Sequence, residues 1–274
     1  MNNRFSFPFL LFLFFFSFCT SKARKPNVIF ILADDLGYNE LGSYGQKKIR
    51  TPHLDQLAKD GMRFTRNYSG NAVCAPSRCV LMTGKHPGHA FIRNNGEIKP
   101  EGQRPIPLNE LTMAEVFKKE GYMTGAFGKW GLGSPGTEGD PMNQGFDRFF
   151  GYNCQRHAHS YYPPYIIKNS EEVALPGNKG GSTGTQYSHY IIFEESLKFI
   201  RTNKDKPFFC YVPHSAVHSP HMVTPARLAT AKGDVMQALL SEIDASTGSI
   251  LETLRRNKID KNTLVLFTND NGGA

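Results

Sequence analysis

This 274-residue chain has no internal repeats, a single tryptophan and only five cysteines. Cys19 lies next to the apolar N-terminal run, and Cys74 begins the motif over 74–78. Three cysteines therefore remain as candidates for disulfide bonds: Cys79, Cys154 and Cys210. An odd number of cysteines argues against a full disulfide framework. Cys210 lies in an apolar run, where a small buried hydrophobic residue is the expected role.

The chain also lacks a dominant block of Lys or Arg, although its formal net charge is +8. Basic residues that are spread along a chain argue against nucleic-acid binding. A positive balance does suit an anionic substrate. The length is enough for one large domain with a substantial core.

The long apolar run near the start, Phe7 to Phe18, is too short to cross a bilayer. It follows the charged Arg4 and precedes small residues, so residues 1–21 are predicted to be a secretory signal peptide. No transmembrane segment is predicted, and the protein is expected to be exported to the periplasm or the extracellular space. Lipidation of Cys19 is the alternative, although Phe18 poorly matches the small residue that such a site prefers.

A continuous apolar run, Asn27 to Ala33, predicts a strand that is buried on both faces of an α/β sheet. Asp34 and Asp35 follow it directly, where open α/β sheets place their ligands. Two neighbouring carboxylates repel one another unless a cation lies between them. An ordinary polar loop is the alternative interpretation.

A second predicted strand, ending at Asn269, is followed by Asp270 and Asn271. Their side-chain oxygens can complete an oxygen-rich shell with Asp34 and Asp35. Ligation by oxygen alone suits calcium or magnesium better than zinc. The sequence therefore predicts a divalent metal at this edge of the sheet.

The segment from Cys74 to Arg78 precedes residues 79–84, which read as the first turns of a helix that ends at Gly84. A cysteine at a helix N-terminus, close to an arginine, lies in a positive field. Such a field lowers the pKa of a thiol and favours a bound anion. A half-buried structural cysteine beside a surface arginine is the alternative.

Further along the chain, Lys129 ends a predicted strand between glycines and beside the only tryptophan. A lysine in that position can approach an anion closely, or it can be an ordinary surface lysine. A strand over 207–212 leads into a segment that contains three histidines. These suggest acid–base work or anion contact, and packing within a loop is the alternative. The three are His214, His218 and His221.

Two polar loops hold weaker candidates for contacts to a substrate. The first spans 88–96, and the second is the long stretch 134–188, whose weak periodicity predicts an irregular rim around a cleft. The four candidates are His89 and Arg93 in the first loop and His157 and His159 in the second. Solvated or structural roles are the alternatives for all four, and the two histidines of the second loop could also bind metal.

The remaining patterns predict helices over 51–61, 111–121, 187–201 and 234–257, a strand over 122–127 and a strand or extended run over 62–68.

The pattern Cys-x-Pro-Ser-Arg over 74–78, followed by Thr83-Gly84, resembles the signature of the type I, formylglycine-dependent sulfatases. In that family the cysteine is converted after synthesis to formylglycine (3-oxoalanine). The resemblance implies that Cys74 is the precursor of the nucleophile. The hydrate of formylglycine offers one hydroxyl to attack sulfur and a second that later expels sulfate. A formylglycine-generating maturation enzyme is implied as a partner.

Other motifs resemble the same family. The paired aspartates and the Asp-Asn-Gly-Gly segment match its metal-binding motifs and favour Ca²⁺, with Mg²⁺ as the alternative. The implied metal site comprises Asp34, Asp35, Cys74, Asp270 and Asn271. The implied catalytic residues are Cys74, Arg78, Lys129 and His218.

One position departs from the family pattern. Sulfatases carry Gly-Lys-Trp-His-Leu-Gly where this chain has Gly-Lys-Trp-Gly-Leu-Gly, so Gly131 stands in place of the histidine. The group that contacts formylglycine is therefore open. We expect either water or a neighbouring imidazole there, with His157 and His159 as the natural substitutes.

The resemblance spans residues 25–274 and is strongest to the bacterial arylsulfatase-like branch. It implies an alkaline-phosphatase-like fold, a three-layer α/β/α sandwich with a large mixed, mostly parallel sheet. Residues 22–274 are expected to form the N-terminal part of the catalytic domain, without its C-terminal part and small C-terminal subdomain. The expected reaction is hydrolysis of sulfate esters on a small molecule or glycan. A phosphate or phosphonate ester hydrolase of the same superfamily and a catalytically incomplete homologue are the alternatives.

Overall fold

The computed structural model describes residues 24–273. The predicted signal peptide and Cys19 lie outside the described residues. Over the described range, no helix combines the length and apolar character that a membrane span requires.

A seven-stranded sheet forms the centre of the molecule, in the order β5-β4-β3-β2-β6-β1-β7. The neighbours from β3 to β7 in that order pair in parallel, whereas β4 and β5 pair antiparallel at one edge. The sheet is therefore mixed and mostly parallel, as predicted. The strands are β1 (Asn27–Ala33), β2 (Met123–Lys129), β3 (Arg148–Tyr152), β4 (Tyr165–Lys168), β5 (Glu171–Ala174), β6 (Phe208–Pro213) and β7 (Thr263–Asn269).

Helices cover both faces of this sheet. Alternate residues of β1 point to opposite sides, so Val28 and Leu32 join one apolar cluster while Ile29 and Ile31 join another. The first cluster includes residues of α2 and α3, and the second includes residues of α5 and α7. This is the expected three-layer α/β/α arrangement. The helices are α1 (Pro52–Asp60), α2 (Cys74–Thr83), α3 (Met113–Lys119), α4 (Gln155–Ala158), α5 (Ser188–Thr202), α6 (Pro225–Thr230) and α7 (Val235–Arg256).

The long, periodic segments fold as predicted. The strand over 27–33 has the predicted bounds, and α5 and α7 match their predicted ranges to within a residue. Helix α2 begins at Cys74 and ends before Gly84, whose φ of 65° is the left-handed conformation of a helix C-cap.

Residues 62–68, predicted as a strand or an extended run, form no strand, and their large side chains face solvent, with Met62 78% and Tyr68 86% exposed. The prediction for residues 134–188 is wrong. The stretch 134–188 is not irregular, because it holds β3, α4, β4 and β5. These elements are only four or five residues long, which is too short for a periodic pattern to be visible in the sequence.

The parallel strands bring their carboxyl ends to one edge of the sheet. Asp34 follows β1, Lys129 ends β2, and Asp270 follows β7. Strand β2 lies very close to the last residue of β6 at Gly128, which has a φ of 140° and where a Cβ would lie 1.9 Å from the carbonyl oxygen of Pro213. Only glycine permits that approach.

Candidate active site

A buried cluster of charged side chains lies at the carboxyl edge of the sheet. Asp34 is its centre: Lys129 Nζ is 2.5 Å from Asp34 Oδ2, and Arg78 Nη2 is 3.2 Å from Asp34 Oδ1. The guanidinium of Arg78 also binds Asp270, with Nη2 and Nε at 2.8 and 3.1 Å from Oδ2. Its Nη1 donates to the carbonyl oxygen of Lys129 at 2.6 Å. Arg78 therefore joins α2 to three strand ends.

Cys74 is the first residue of α2 and faces this cluster. Its Sγ lies 3.4 Å from Asp34 Oδ1 and 3.3 Å from Lys129 Nζ. Ser77 Oγ donates to the carbonyl oxygen of Asp270, which ties the first turn of the helix to the end of β7. Asn95 Oδ1 accepts from the amide of Ala75 at 3.0 Å, and nothing in the sequence indicated this contact.

The cluster shifts the pKa values of its members in opposite directions. Although burial alone would raise it, Lys129 and Arg78 hold the pKa of Asp34 below its usual range. Burial and the charge of Asp34 raise the pKa of Asp270. Burial and Asp34 also raise the pKa of the Cys74 thiol to about 12. The expectation of a lowered thiol pKa was wrong, because burial and the nearby carboxylate outweigh Lys129 and Arg78.

The predicted metal ligands converge on one site. One carboxylate oxygen from each of Asp34, Asp35 and Asp270 lies within 4.8 Å of the others. Asn271 is buried, and its Oδ1 accepts no hydrogen bond from any of residues 24–273, while its Nδ2 donates to Asp35 Oδ1. Three carboxylates and an unused amide oxygen are the donor set that a hard divalent cation requires. The residues present therefore fit calcium or magnesium.

Asp35 owes its position to an unusual backbone. Its φ is 56°, a left-handed conformation that is rare for residues other than glycine. This conformation is held in part by the hydrogen bond from the Asp35 amide to Asp270 Oδ1, at 3.2 Å. Strained residues of this kind concentrate at ligand sites, where the surrounding structure maintains them.

His218 reaches the same cluster from the loop after β6. Its Nε2 lies 3.4 Å from Asp35 Oδ2, and its Nδ1 contacts the carbonyl oxygen of Ser219. Since a carbonyl oxygen only accepts, Nδ1 carries the donated proton, and Nε2 is the ring nitrogen that faces Asp35. The Tyr161 hydroxyl donates to the carbonyl oxygens of Ser215 and His218, which holds this loop in place.

His159 lies beside His218. The two rings stack with their centroids 4.5 Å apart. Burial, together with His218 and Lys129, lowers the pKa of His159 to about 4. The structure therefore brings His159 to the margin of the cluster.

Other histidines considered from the sequence have different surroundings. Both ring nitrogens of His157 are engaged, Nδ1 with Asn153 Oδ1 at 3.2 Å and Nε2 with the carbonyl oxygen of Tyr165 at 2.9 Å. His214 is buried and stacks on His189.

The loop over 88–96 contributes less to this cluster than the sequence suggested. Both His89 and Arg93 are exposed, and Arg93 Nε donates to the carbonyl oxygen of Ala90 at 3.1 Å. In the range 24–273, neither has a hydrogen bond or ion pair to the charged cluster.

Gln155 fills the space beside Gly131. A Cβ built on Gly131 would lie 2.2 Å from Gln155 Nε2. The expectation that an imidazole or water fills this space is therefore wrong, because a carboxamide occupies it. No sequence signal distinguished Gln155 from its polar neighbours.

The amino-acid sequence is similar to those of known proteins. The family described as Sulfatase matches residues 26–274. The chain is 36% identical to N-acetylgalactosamine-6-sulfatase of Rattus norvegicus over 92% of this chain and 51% of that protein. It is 35% identical to arylsulfatase A of Homo sapiens over 91% of this chain and 52% of that protein. The chain thus spans about half the length of these curated relatives.

Solved structures show the same fold. The crystal structure of Ps i-CgsB in complex with k-i-k-neocarrahexaose superposes with a TM-score of 0.79 at 28% identity. The match covers 91% of this chain and 59% of that one.

Proposed function

This chain belongs to the sulfatase family, and from that premise we propose that it hydrolyses sulfate esters carried by sugars. The observation that carries the proposal is the placement of Lys129 Nζ, 2.5 Å from Asp34 and 3.3 Å from Cys74 Sγ. A buried ammonium at the predicted nucleophile supplies the positive charge that a sulfate oxygen needs.

Arg78 holds the carboxylates in place. Its guanidinium contacts Asp34 and Asp270 while itself 1% exposed. Two carboxylates this close repel one another, and a fixed cation between them offsets that repulsion. In this proposal Arg78 orients the ligands and keeps the first turn of α2 against the strand ends.

Calcium, with magnesium as the alternative, would be held by Asp34, Asp35, Asp270 and Asn271. When bound, the metal supplies a positive charge that neutralises the sulfate and polarises its oxygens. The unused Oδ1 of Asn271 supports this assignment.

Cys74 would carry formylglycine, installed by a maturation enzyme, and the hydrate of that aldehyde supplies the hydroxyl nucleophile. The raised pKa of the Cys74 thiol supports this view, because an unmodified thiol with a pKa of about 12 is a poor nucleophile at neutral pH. The contacts with Asp34 and Lys129 position the side chain of residue 74.

His218 is proposed to handle protons at the leaving oxygen. Its Nε2 faces the cluster, and its Nδ1 is occupied by a carbonyl oxygen. A ring fixed in this way presents one nitrogen to the reaction. His159 stacks on the ring and keeps its plane in position.

A sugar as the carrier of the sulfate is supported by the relatives. One of them is named for a sulfate on N-acetylgalactosamine, and a structural neighbour was solved with a neocarrahexaose. The net charge of +8 suits a polyanionic substrate. The leader-like residues 1–21 support an exported enzyme that meets such substrates outside the cytoplasm.

The test begins with the chemical state of residue 74. The full chain is co-expressed with a formylglycine-generating enzyme, and the Cys74 peptide is weighed by mass spectrometry. Activity is then measured on an aryl sulfate, on sulfated oligosaccharides and on matched phosphate esters. We expect the aldehyde at residue 74, and a kcat/KM for sulfate esters that exceeds the value for phosphate esters.

The matched variant is Cys74→Ala, which removes the nucleophile but leaves Asp34 and Lys129 paired. We expect it to lose sulfatase activity by more than about 10³-fold while its melting temperature changes little. An aldehyde-bearing protein that prefers phosphate esters, or a Cys74→Ala variant that keeps substantial turnover, would contradict the proposal.

A further inference from the structure

Gln155 is a buried polar residue whose side chain the fold leaves unpaired. The residue is 8% exposed, and neither its Nε2 nor its Oε1 has a hydrogen-bond partner among residues 24–273. A buried polar atom without a partner costs about 1–3 kcal/mol. Native proteins therefore retain such groups where something outside the fold, such as a ligand, binds them.

The neighbours of Gln155 on the short helix α4 are all engaged. Cys154 Sγ accepts from the amide of His157 at 3.4 Å, and the ring of His157 is held at both nitrogens. Arg156 forms an ion pair with Glu97. These contacts hold the helix in place, so the unpaired carboxamide belongs to an otherwise well-anchored segment.

His159, the C-cap residue of α4, lies beside the charged cluster. Gln155 and His159 are four residues apart, a spacing that places two side chains on the same face of a helical turn. His159 stacks on His218, whose Nε2 lies 3.4 Å from Asp35. The C-terminal end of α4 is thus held next to the charged cluster.

Gly131 places the carboxamide next to the chain segment that follows Lys129. Its φ is 79°, and a Cβ there would lie 2.2 Å from Gln155 Nε2. Gly131 stands two residues beyond Lys129, whose Nζ is 3.3 Å from Cys74 Sγ. The glycine removes a side chain from this space, and the amide of Gln155 takes its place.

We propose that Gln155 is a sulfate-contacting residue of this enzyme. Its Nε2 donates a hydrogen bond to a sulfate oxygen beside Lys129, and its Oε1 accepts from a hydroxyl of the sugar that carries the sulfate. This proposal rests on the sulfatase function proposed above. A carboxamide does not titrate, so this contact stays in the same protonation state at every pH at which the fold is stable.

The decisive variant is Gln155→Met, which keeps the length of the side chain and removes both polar atoms. We expect kcat/KM for an aryl sulfate to fall by about 10²-fold, the usual effect of losing one donor to a developing charge. The dissociation constant of inorganic sulfate, measured by calorimetry, should rise about tenfold. The melting temperature should stay the same or rise, because an unpaired amide has been replaced by an apolar group.

Gln144→Met is the matched control. Gln144 is also buried, but its Nε2 donates to the carbonyl oxygen of Glu138 at 2.9 Å, and only its Oε1 lacks a partner among residues 24–273. We expect this variant to lower the melting temperature while kcat/KM and sulfate affinity stay within about twofold. The two methionine variants thus separate a ligand contact from a structural one.

The outcomes distinguish the two proposals. A Gln155→Met protein that keeps both kcat/KM and sulfate affinity within about twofold of the parent overturns the role of Gln155 alone. A parent that binds sulfate without hydrolysing any sulfate ester contradicts the proposed function, and the change in sulfate affinity then decides the role of Gln155. A parent that neither binds sulfate nor turns over sulfate esters overturns both.

Discussion

At the scale of single residues, Asn271 shows how a site can be recognised by what its atoms lack. Its side chain is buried, with Nδ2 donating to Asp35 and Gly272, while Oδ1 accepts no hydrogen bond within the described part of the chain. An amide with one satisfied end and one free oxygen is oriented for a cation. The same reasoning applies to Gln155, where both ends are free and the expected ligand is an anion that accepts a hydrogen bond.

Asn271→Ala is predicted to weaken calcium binding. Calcium should raise the melting temperature of the parent, because it binds the folded chain and not the unfolded one. Removing one of the oxygen ligands should lower calcium affinity on the order of tenfold, and therefore shrink the calcium-dependent rise. Scanning calorimetry with calcium and with a chelator measures this directly.

The control is Asn257→Ala, at the C-terminal end of α7. Asn257 Nδ2 donates to the carbonyl oxygen of Thr253 at 2.8 Å, so its loss should lower the melting temperature equally with and without calcium. An Asn271→Ala protein that shows the full calcium shift of the parent would remove Asn271 from the metal site.

At the scale of elements, the approach of β2 to the end of β6 depends on one glycine. Gly128→Ala would place a methyl group 1.9 Å from the carbonyl oxygen of Pro213. We expect a loss of roughly 3 kcal/mol in the free energy of unfolding, since overpacking and a left-handed backbone both act against alanine. Urea unfolding of the parent and of Gly128→Ala measures this difference in the free energy of unfolding.

Gly121→Ala is the matched control for crowding. Gly121 also has a positive φ, 82°, but a Cβ there meets nothing within 4 Å. Only the backbone penalty of about 1–2 kcal/mol applies to it. Equal losses for the two variants would show that the close approach of β2 is not what constrains Gly128.

Helices α5 and α7 meet at a buried histidine that makes the fold sensitive to acid. His189 Nε2 contacts Ser246 Oγ at 3.1 Å, and burial followed by Arg227 lowers the pKa of His189 to about 4. The ring of His189 also packs beside the ring of His214. Burial, followed by the charge of His189, lowers the pKa of His214 well below its usual value. Because the folded-state pKa of His189 lies below the unfolded value of 6.5, its stabilising contribution is complete above pH 6.5. That contribution is lost as the pH falls toward 4.

His189→Phe is predicted to flatten the pH dependence of stability. Between pH 7 and pH 5 the parent should lose about 2 kcal/mol of unfolding free energy through His189, and the variant should be spared that loss. Urea unfolding at the two pH values measures the difference. Substitution of the exposed His86 by Gln should leave the pH dependence unchanged, and the same flattening in that control would contradict the assignment to His189.

At the scale of the whole molecule, the net charge of +8 acts on substrates as well as on the fold. A polyanion is attracted by the summed field, and salt screens that field, with a Debye length of about 10 Å at 0.1 M and 3 Å at 1 M. We predict that KM for a sulfated hexasaccharide rises several-fold between these concentrations while kcat changes little. A small aryl sulfate should show a weaker effect in the same assay, and an equal response of the two substrates would exclude steering by the molecular charge.

Much of this architecture was already determined by the order of residues in the chain. The continuous apolar runs over 27–33 and 207–212 predict central strands, which form over 27–33 and 208–213, because a strand covered by helices on both sides needs apolar residues on both faces. Asp34, Asp270 and Lys129 stand at or just past strand ends, and parallel strands bring such residues to one edge. The signature from Cys74 to Arg78 is local, so it is visible without any folding.

Only the tertiary structure decided which loop residues enter the site and what their surroundings do to them. Gln155 and His157 are neighbours in sequence, yet one carboxamide is left unpaired beside Gly131 while the imidazole is held by Asn153 and Tyr165. The sequence also predicted a lowered thiol pKa at Cys74, where burial and Asp34 raise it. The physical reason is common to both cases: burial, hydrogen bonding and charge depend on groups distant in the chain, and short elements carry no periodic pattern that shows which groups will meet.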